Sequence, residues 1–330
     1  MNPCGSLWGT GRWYQSPNWT SRRSCAGADR RDSVTDVSGA VLEEPPRFRV
    51  TAMPVRGNYA GTVLSPRKEM PMPAIPLTSC VVAALVATLC CLPLPAAADG
   101  ETVEYRHGDV TLEGYLVAPA PSAGRCPGIL LVHDWDGIDD YERLRAEMLA
   151  ELGYVALAAD IYGKGVRPAD TEQAAAESSK YKNDPALYRA RLAAGLDTLR
   201  RHPRVDPDRL GAIGYCFGGT GVLELARSGA DVKGVVSFHG SLGTSSPATP
   251  GSVKAAILVL HGGADPVVPP DEVSAFVREM LEAGANFSIV SYPGAVHAFT
   301  KYGSRSYHQR ADRASWEAMK RFFADLFTRD

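Results

Sequence analysis

The chain has 330 residues, 45% of them hydrophobic and 22% charged, and 35 Lys plus Arg against 37 Asp plus Glu leave a formal net charge of -2. Without a basic excess there is nothing to neutralise a phosphate backbone, so a general nucleic-acid binder is excluded. Seven cysteines are too few at this length for a disulfide scaffold, and the length allows one large or two modest domains.

Composition changes along the chain. Residues 1–70 hold clusters such as GRWYQSPNWTSRR and LEEPPRFRV, without helical or strand periodicity. Two readings stay open for them: a disordered extension, or a stretch upstream of the true start of translation. Arg67 and Lys68 then precede an uncharged apolar run, Leu77–Leu94, that closes with LPLPAAADG. Basic residues, an apolar stretch and small residues at a cleavage site follow the order of a secretory signal peptide. Residues 71–98 are therefore expected to be one, cut after Ala98, and the product to be exported, periplasmic or extracellular. The run is short for a spanning helix and Pro93 and Pro95 stand at its end, so no stable membrane span is expected after cleavage. The remainder, 99–330, has 232 residues, 25 Lys plus Arg, 31 Asp plus Glu, and only two cysteines, Cys126 and Cys216.

This remainder reads as one α/β domain. Val103–His107 and Leu112–Val117 suggest an opening antiparallel hairpin. Further strands are expected at Pro127–Val132, Tyr154–Ala159, Leu210–Tyr215, Val232–Phe238, Ala255–Leu260 and Phe287–Tyr292. Helices are expected at Tyr141–Leu152, Pro185–Arg200, Gly219–Arg227, Asp271–Glu282 and His308–Leu326. The segment from Tyr162 to Pro185 reads as a loop over the site. Short, nearly unbroken apolar strands between amphipathic helices imply a mostly parallel sheet covered on both faces. Active sites of such sheets collect at the carboxyl ends of the strands. The residues there are His133-Asp134-Trp135, Asp160, Cys216, His239, the Gly262–Asp265 turn and Gly294–His297.

The sharpest motif is IGYCFGGTG. Gly214, Cys216 and Gly218 form G-x-C-x-G between a strand and a helix, a nucleophile elbow with sulfur in place of a serine oxygen. The glycines leave room for neighbouring backbone. The helix N-terminus lowers a thiol pKa and offers N–H groups to an oxyanion. A buried core cysteine is the structural alternative. Asp265 follows in HGGADPVVP and His297 in PGAVHAF, giving the chain order nucleophile, acid, histidine. His297 is expected to take the thiol proton or hold the thiolate, and Asp265 to orient its ring. The oxyanion donors are expected at the Phe217 and Trp135 N–H groups. Asp134 points to the same region. His133, His239 and His261 also stand near strand ends, but no H-x-x-x-H, H-E-x-x-H or C-x-x-C spacing supports a metal site.

VHDWDG, ADIYGKG, GYCFGGTG, VSFHG, HGGADPVVP and GAVHAF, in this order, resemble the dienelactone hydrolases of the α/β-hydrolase superfamily across essentially all of 99–330. The resemblance implies the α/β-hydrolase fold and a Cys216–Asp265–His297 triad with backbone donors at Phe217 and Trp135. It places Asp134 where best-known members use a glutamate to hold the resting thiol. It places Lys301 where one of two substrate-gripping arginines stands, as a point charge without the bidentate fork. The function expected is cleavage of a lactone or small carboxylic ester through a thioester on Cys216, by a monomer with no cofactor and no metal. Alternatives are a broader carboxylesterase or thioesterase with the same triad, a non-catalytic binding protein, and a redox protein joining Cys126 to Cys216.

Overall fold

The computed structural model describes residues 100–120 and 124–328. The extension 1–70 and the signal-like segment 71–98 lie outside the described residues. No helix among the described residues is long and apolar enough to cross a membrane.

Eight strands form one sheet: β1 (Glu101–His107), β2 (Val110–Val117), β3 (Cys126–Val132), β4 (Val155–Ala159), β5 (Val205–Tyr215), β6 (Gly234–Phe238), β7 (Ala256–Gly262) and β8 (Phe287–Tyr292), in the order β1-β2-β4-β3-β5-β6-β7-β8. The β1–β2 and β2–β4 pairs are antiparallel and all others are parallel. The helices are α1 (Asp140–Glu151), α2 (Thr171–Lys182), α3 (Pro185–Arg200), α4 (Phe217–Arg227), α5 (Pro270–Ala283) and α6 (Gln309–Phe327). This is the α/β-hydrolase architecture expected from the sequence.

Strand periodicity sends alternate side chains into two cores. Leu130 and Val132 of β3 join α3, α4 and α5 in one core. Ile129 and Leu131 of the same strand join α1 and α6 in the other. Both faces are dry, which is why the central strands are almost continuously apolar.

Two differences from the sequence reading have local causes. The segment expected as a loop between Tyr162 and Pro185 contains α2, capped by the Asp170 side chain, which accepts from Gln173 N–H. Its buried residues are Ala174, Ser178 and Tyr181, so only one large apolar side chain marks the helical stripe. Strand β5 begins at Val205, five residues before the expected start. Its extra residues are accommodated by a register shift opposite Pro127 and Gly128.

The chain runs from β3 to β4 on one side and then crosses to β5 on the other, so the strand order reverses between β3 and β5. A crevice opens at the carboxyl ends of the strands at such a point. The loops carrying Asp134 and Trp135 (after β3) and Cys216 (after β5) meet there. Cys126 stands at the opposite end of β3, level with Val205, while Val132 is level with Gly214. The length of a strand thus separates Cys126 from Cys216, well beyond disulfide reach.

Candidate active site

Cys216 joins β5 to α4 with φ 49 and ψ -108. A non-glycine residue in this region costs about 1–3 kcal/mol and persists only where its surroundings impose it. Gly214 and Gly218 are part of that imposition. A Cβ on Gly214 would stand 2.0 Å from the Gly218 oxygen, and one on Gly218 would stand 2.1 Å from the Val132 oxygen. The turn is possible only because backbone passes where side chains would be. Among the described residues the other non-glycine positive φ values belong to His239 and Ala298, both on loops of the same site.

The triad residues come together from three strand ends. His297 Nε2 lies 3.1 Å from Cys216 Sγ, and His297 Nδ1 lies 2.9 Å from Asp265 Oδ2. The other Asp265 oxygen accepts from the N–H groups of Val267 at 2.8 Å and Val268 at 3.3 Å. Burial pushes the Asp265 carboxyl up. The His297 hydrogen bond and charge and the two N–H groups outweigh it, so the group stays below the usual carboxylate range.

Cys216 moves the other way. Burial pushes its thiol well above the ordinary value, and the charge and hydrogen bond of Asp134 add to the shift. The Phe217 N–H and Lys182 oppose this without offsetting it. The helix N-terminus does pull the thiol down through the Phe217 N–H, as expected, but burial and the neighbouring acid outweigh it. The balance favours the neutral thiol, which has His297 on one side and Asp134 on the other.

The loop after β3 is held from several directions. The His133 ring accepts Ile161 N–H at Nε2, 3.2 Å away, so its Nδ1 carries the proton and meets the Asp134 carbonyl oxygen. Glu142 Oε1 accepts Asp134 N–H at 3.1 Å, and Glu142 Oε2 accepts Asp139 N–H at 3.0 Å as half of a capping box for α1. Trp135 N–H donates to Asp134 Oδ1 at 2.6 Å, so this expected oxyanion donor is already engaged. Burial first and then the Asp136 charge raise the Asp134 carboxyl, against the pull of Lys301, the Trp135 N–H and the Cys216 thiol.

Lys301 is drawn into this acidic loop. Its ammonium pairs with Asp136 and stands 3.7 Å from Asp139 and 4.0 Å from Asp134. The cation placed by resemblance as a substrate contact is thus shared among three carboxylates of the protein. Arg189 is also committed, to Glu224 at 2.7 Å and to the Ser246 backbone oxygen at 2.7 Å. Asp160 anchors the loop after β4, accepting from Glu113, Tyr162 and Gly163 N–H groups at 3.0 Å each.

Aromatic side chains pack in a buried cluster beside the Cys216 turn. Tyr188 stacks on Phe217 with ring centres 4.7 Å apart and donates its hydroxyl to the Phe217 carbonyl oxygen at 2.8 Å. Tyr162 donates to the Trp135 carbonyl oxygen at 2.9 Å and stacks on Tyr181. Sequence reasoning passed over these tyrosines; Tyr162 stands in the ADIYGKG segment after β4, while Tyr181 and Tyr188 lie on α2 and α3 with no motif to mark them. Among the described residues no group of three or more His, Cys, Asp or Glu is arranged to hold a metal ion.

The model of the family described as "Dienelactone hydrolase family" matches residues 112–327. The chain belongs to the dienelactone hydrolase family. A dienelactone hydrolase-like promiscuous phosphotriesterase from metagenomic libraries is 32% identical, with a TM-score of 0.65 over 70% of this chain and 99% of that one. The solved structure named m3DLH is 36% identical, with a TM-score of 0.66 over 70% of this chain and 99% of that one. A Bradyrhizobium sp protein named "Probable 2-oxo-3-(5-oxofuran-2-ylidene)propanoate lactonase" is 30% identical over 234 residues, 66% of this chain and 92% of its own. This dienelactone hydrolase relative is accordingly an enzyme, a cysteine-based hydrolase acting on small esters or lactones.

Proposed function

We propose that Cys216 is the nucleophile, His297 the general base and acid, and Asp265 the residue that orients the imidazole. The observation that carries this reading is the unbroken chain Cys216 Sγ, His297 Nε2, His297 Nδ1, Asp265 Oδ2, with contacts of 3.1 and 2.9 Å. As Sγ attacks the substrate carbonyl carbon, the thiol proton passes to His297 Nε2 and the carbonyl electron pair moves onto oxygen. Phe217 N–H, at the start of α4, and Trp135 N–H then stabilise the oxyanion. For Trp135 this requires the Asp134 carboxylate to give up its 2.6 Å contact. The oxyanion collapses, the leaving alkoxide takes the proton from His297, and a thioester remains. Water gives its proton to His297 as it attacks the thioester. The acid product departs, and the sulfur recovers the proton.

Asp134 acts before the chemistry, by keeping the buried sulfur protonated until a substrate displaces it. Lys301 sets the charge on that aspartate and contacts substrate only if the three aspartates release it. The enzyme is proposed to work as a monomer on a small lactone or ester, after export and cleavage near Asp99. The small-x-small sequence at Ala96 and Ala98 supports the cleavage position. Purified protein assayed on lactones, p-nitrophenyl esters and a phosphotriester tests the reading, with Cys216→Ala as control. Hydrolysis that depends on Cys216 supports it, and equal rates in both proteins contradict it. Size-exclusion chromatography reads the oligomeric state, and mass spectrometry of the exported N-terminus reads the cleavage site.

A further inference from the structure

Outside the triad, a connected group of buried polar side chains lies behind the nucleophile. Cys216 N–H donates to His239 Nδ1 at 3.1 Å, sharing that proton with the Phe238 carbonyl oxygen at 3.0 Å. His239 Nδ1 is therefore unprotonated, and Nε2 carries the ring proton. Nε2–H faces Thr300 Oγ1 at 2.7 Å. Thr300 Oγ1 shares a second bond with the Tyr141 hydroxyl at 2.6 Å, and the Thr300 carbonyl oxygen accepts from Arg145 at 3.2 Å. Arg145 is pinned to Asp312 at 2.5 Å and lies over the rings of Tyr141, Tyr215, Tyr302 and Trp316. His239, Thr300 and Arg145 are at most 2% exposed.

The topology gives this cluster its meaning. His239 follows β6 and grips the nucleophile turn. Thr300 is three residues past His297 on the loop after β8. Tyr141 and Arg145 belong to α1, whose N-terminus is fixed to the Asp134–Trp135 loop through Glu142. The cluster therefore joins the nucleophile turn, the His297 loop and the Asp134–Trp135 loop. Burial holds the His239 ring well below the ordinary imidazole value, with the charges of His297 and Arg145 adding to the effect. The neutral ring can thus keep accepting from Cys216 N–H while its edge packs against His297, ring centres 5.5 Å apart.

We propose that His239 is a positioning residue that sets the Cys216–His297 distance by tying the nucleophile turn to the histidine loop through Thr300. Its hydrogen bonds go to the Cys216 backbone N–H and to Thr300, not to the reacting sulfur. Its left-handed backbone, φ 42, shows that the fold imposes this orientation on a residue other than glycine. The role rests on the triad reading given above.

The test combines His239→Phe, His239→Asn and Thr300→Val with the double variant His239→Phe/Thr300→Val. Each is assayed for kcat and KM on a p-nitrophenyl ester and for alkylation of Cys216 by iodoacetamide. His239→Phe is expected to lower kcat about 10- to 100-fold with KM little changed, since a displacement of about 1 Å at a reacting pair costs this much. His239→Asn keeps an acceptor near Nδ1 and tolerates a positive φ, so it is expected to recover much of the loss. Thr300→Val nearly preserves volume and removes only the hydroxyl, so it reports even if His239→Phe does not fold. The double variant is expected to lose no more than His239→Phe alone. Single variants with wild-type kcat and alkylation rate, or losses that multiply in the double variant, would overturn the proposal. Hydrolysis surviving in Cys216→Ala would instead overturn the triad reading, which separates the two.

Discussion

Two aspartates flank the reacting pair, and their surroundings drive them in opposite directions. Asp265, in the loop after β7, receives the His297 ring and two backbone N–H groups. Asp134, in the loop after β3, receives one N–H, sits beside Asp136 and is shielded from water. Donors stabilise the charge on the first, while burial and a like charge penalise it on the second. The same side chain is thereby favoured as an anion beside the His297 ring in one loop and disfavoured as an anion beside the Cys216 thiol in the other. Pairs of acids separated in this way mark where proton traffic occurs.

The comparison can be broken from either side. Asp265→Asn reverses the tautomer demanded of His297 and is expected to lower kcat/KM by about 10³- to 10⁴-fold with the fold intact. A loss below tenfold would mean that the acid of this triad lies elsewhere. Asp134→Asn removes a charge that raises the Cys216 pKa, so alkylation by iodoacetamide at pH 7 is expected to speed up. An unchanged alkylation rate would show that burial alone governs the thiol.

Stability offers a finer contrast. Asp134 has a raised pKa in the folded protein, so its ionisation penalises folding above the unfolded value and not below it. Asp134→Asn is expected to raise Tm at pH 7–8, with the gain vanishing below about pH 4 where both states hold the proton. Asp265 has a lowered pKa, so its contribution is present above the unfolded value and is lost as pH falls through the folded one. The Asp265→Asn deficit should therefore shrink on acidification, opposite in sign to the Asp134 effect. The smallest effect belongs to the buried histidines. His133 and His239 are held neutral by burial, so the unfolded chain binds protons that the folded one refuses. Stability is expected to decline as pH falls below about 6.5, and His239→Asn should flatten that slope.

How much of this could be seen in the sequence follows from distance along the chain. Cys216 was recognisable because its turn is local: Gly214 and Gly218 stand two positions to either side, and both prove to be required by backbone contact. Asp265 and His297 were recognisable because each follows an apolar strand. The sheet needed only the alternation of apolar runs. The cluster behind the nucleophile left no such trace. Tyr141 and Thr300 are 159 residues apart, Arg145 and Asp312 are 167 apart, and His239 and Thr300 are 61 apart. None of these pairings has a spacing signature, because tertiary packing alone brings them together. The sign of the thiol shift was hidden for the same reason. A helix N-terminus is visible in a sequence, whereas burial of the sulfur is not, and the approach of Asp134 was expected from its strand-end position and the family resemblance without the size of its effect.

The central claim is that hydrolysis passes through a covalent acyl group on Cys216. Rapid acid quenching during turnover of a p-nitrophenyl ester, followed by peptide mass spectrometry, measures this directly. The account predicts a transient mass gain equal to the acyl group on the peptide containing Cys216, absent in Cys216→Ala. Turnover at the wild-type rate with no acylated Cys216 peptide at any quench time would contradict it.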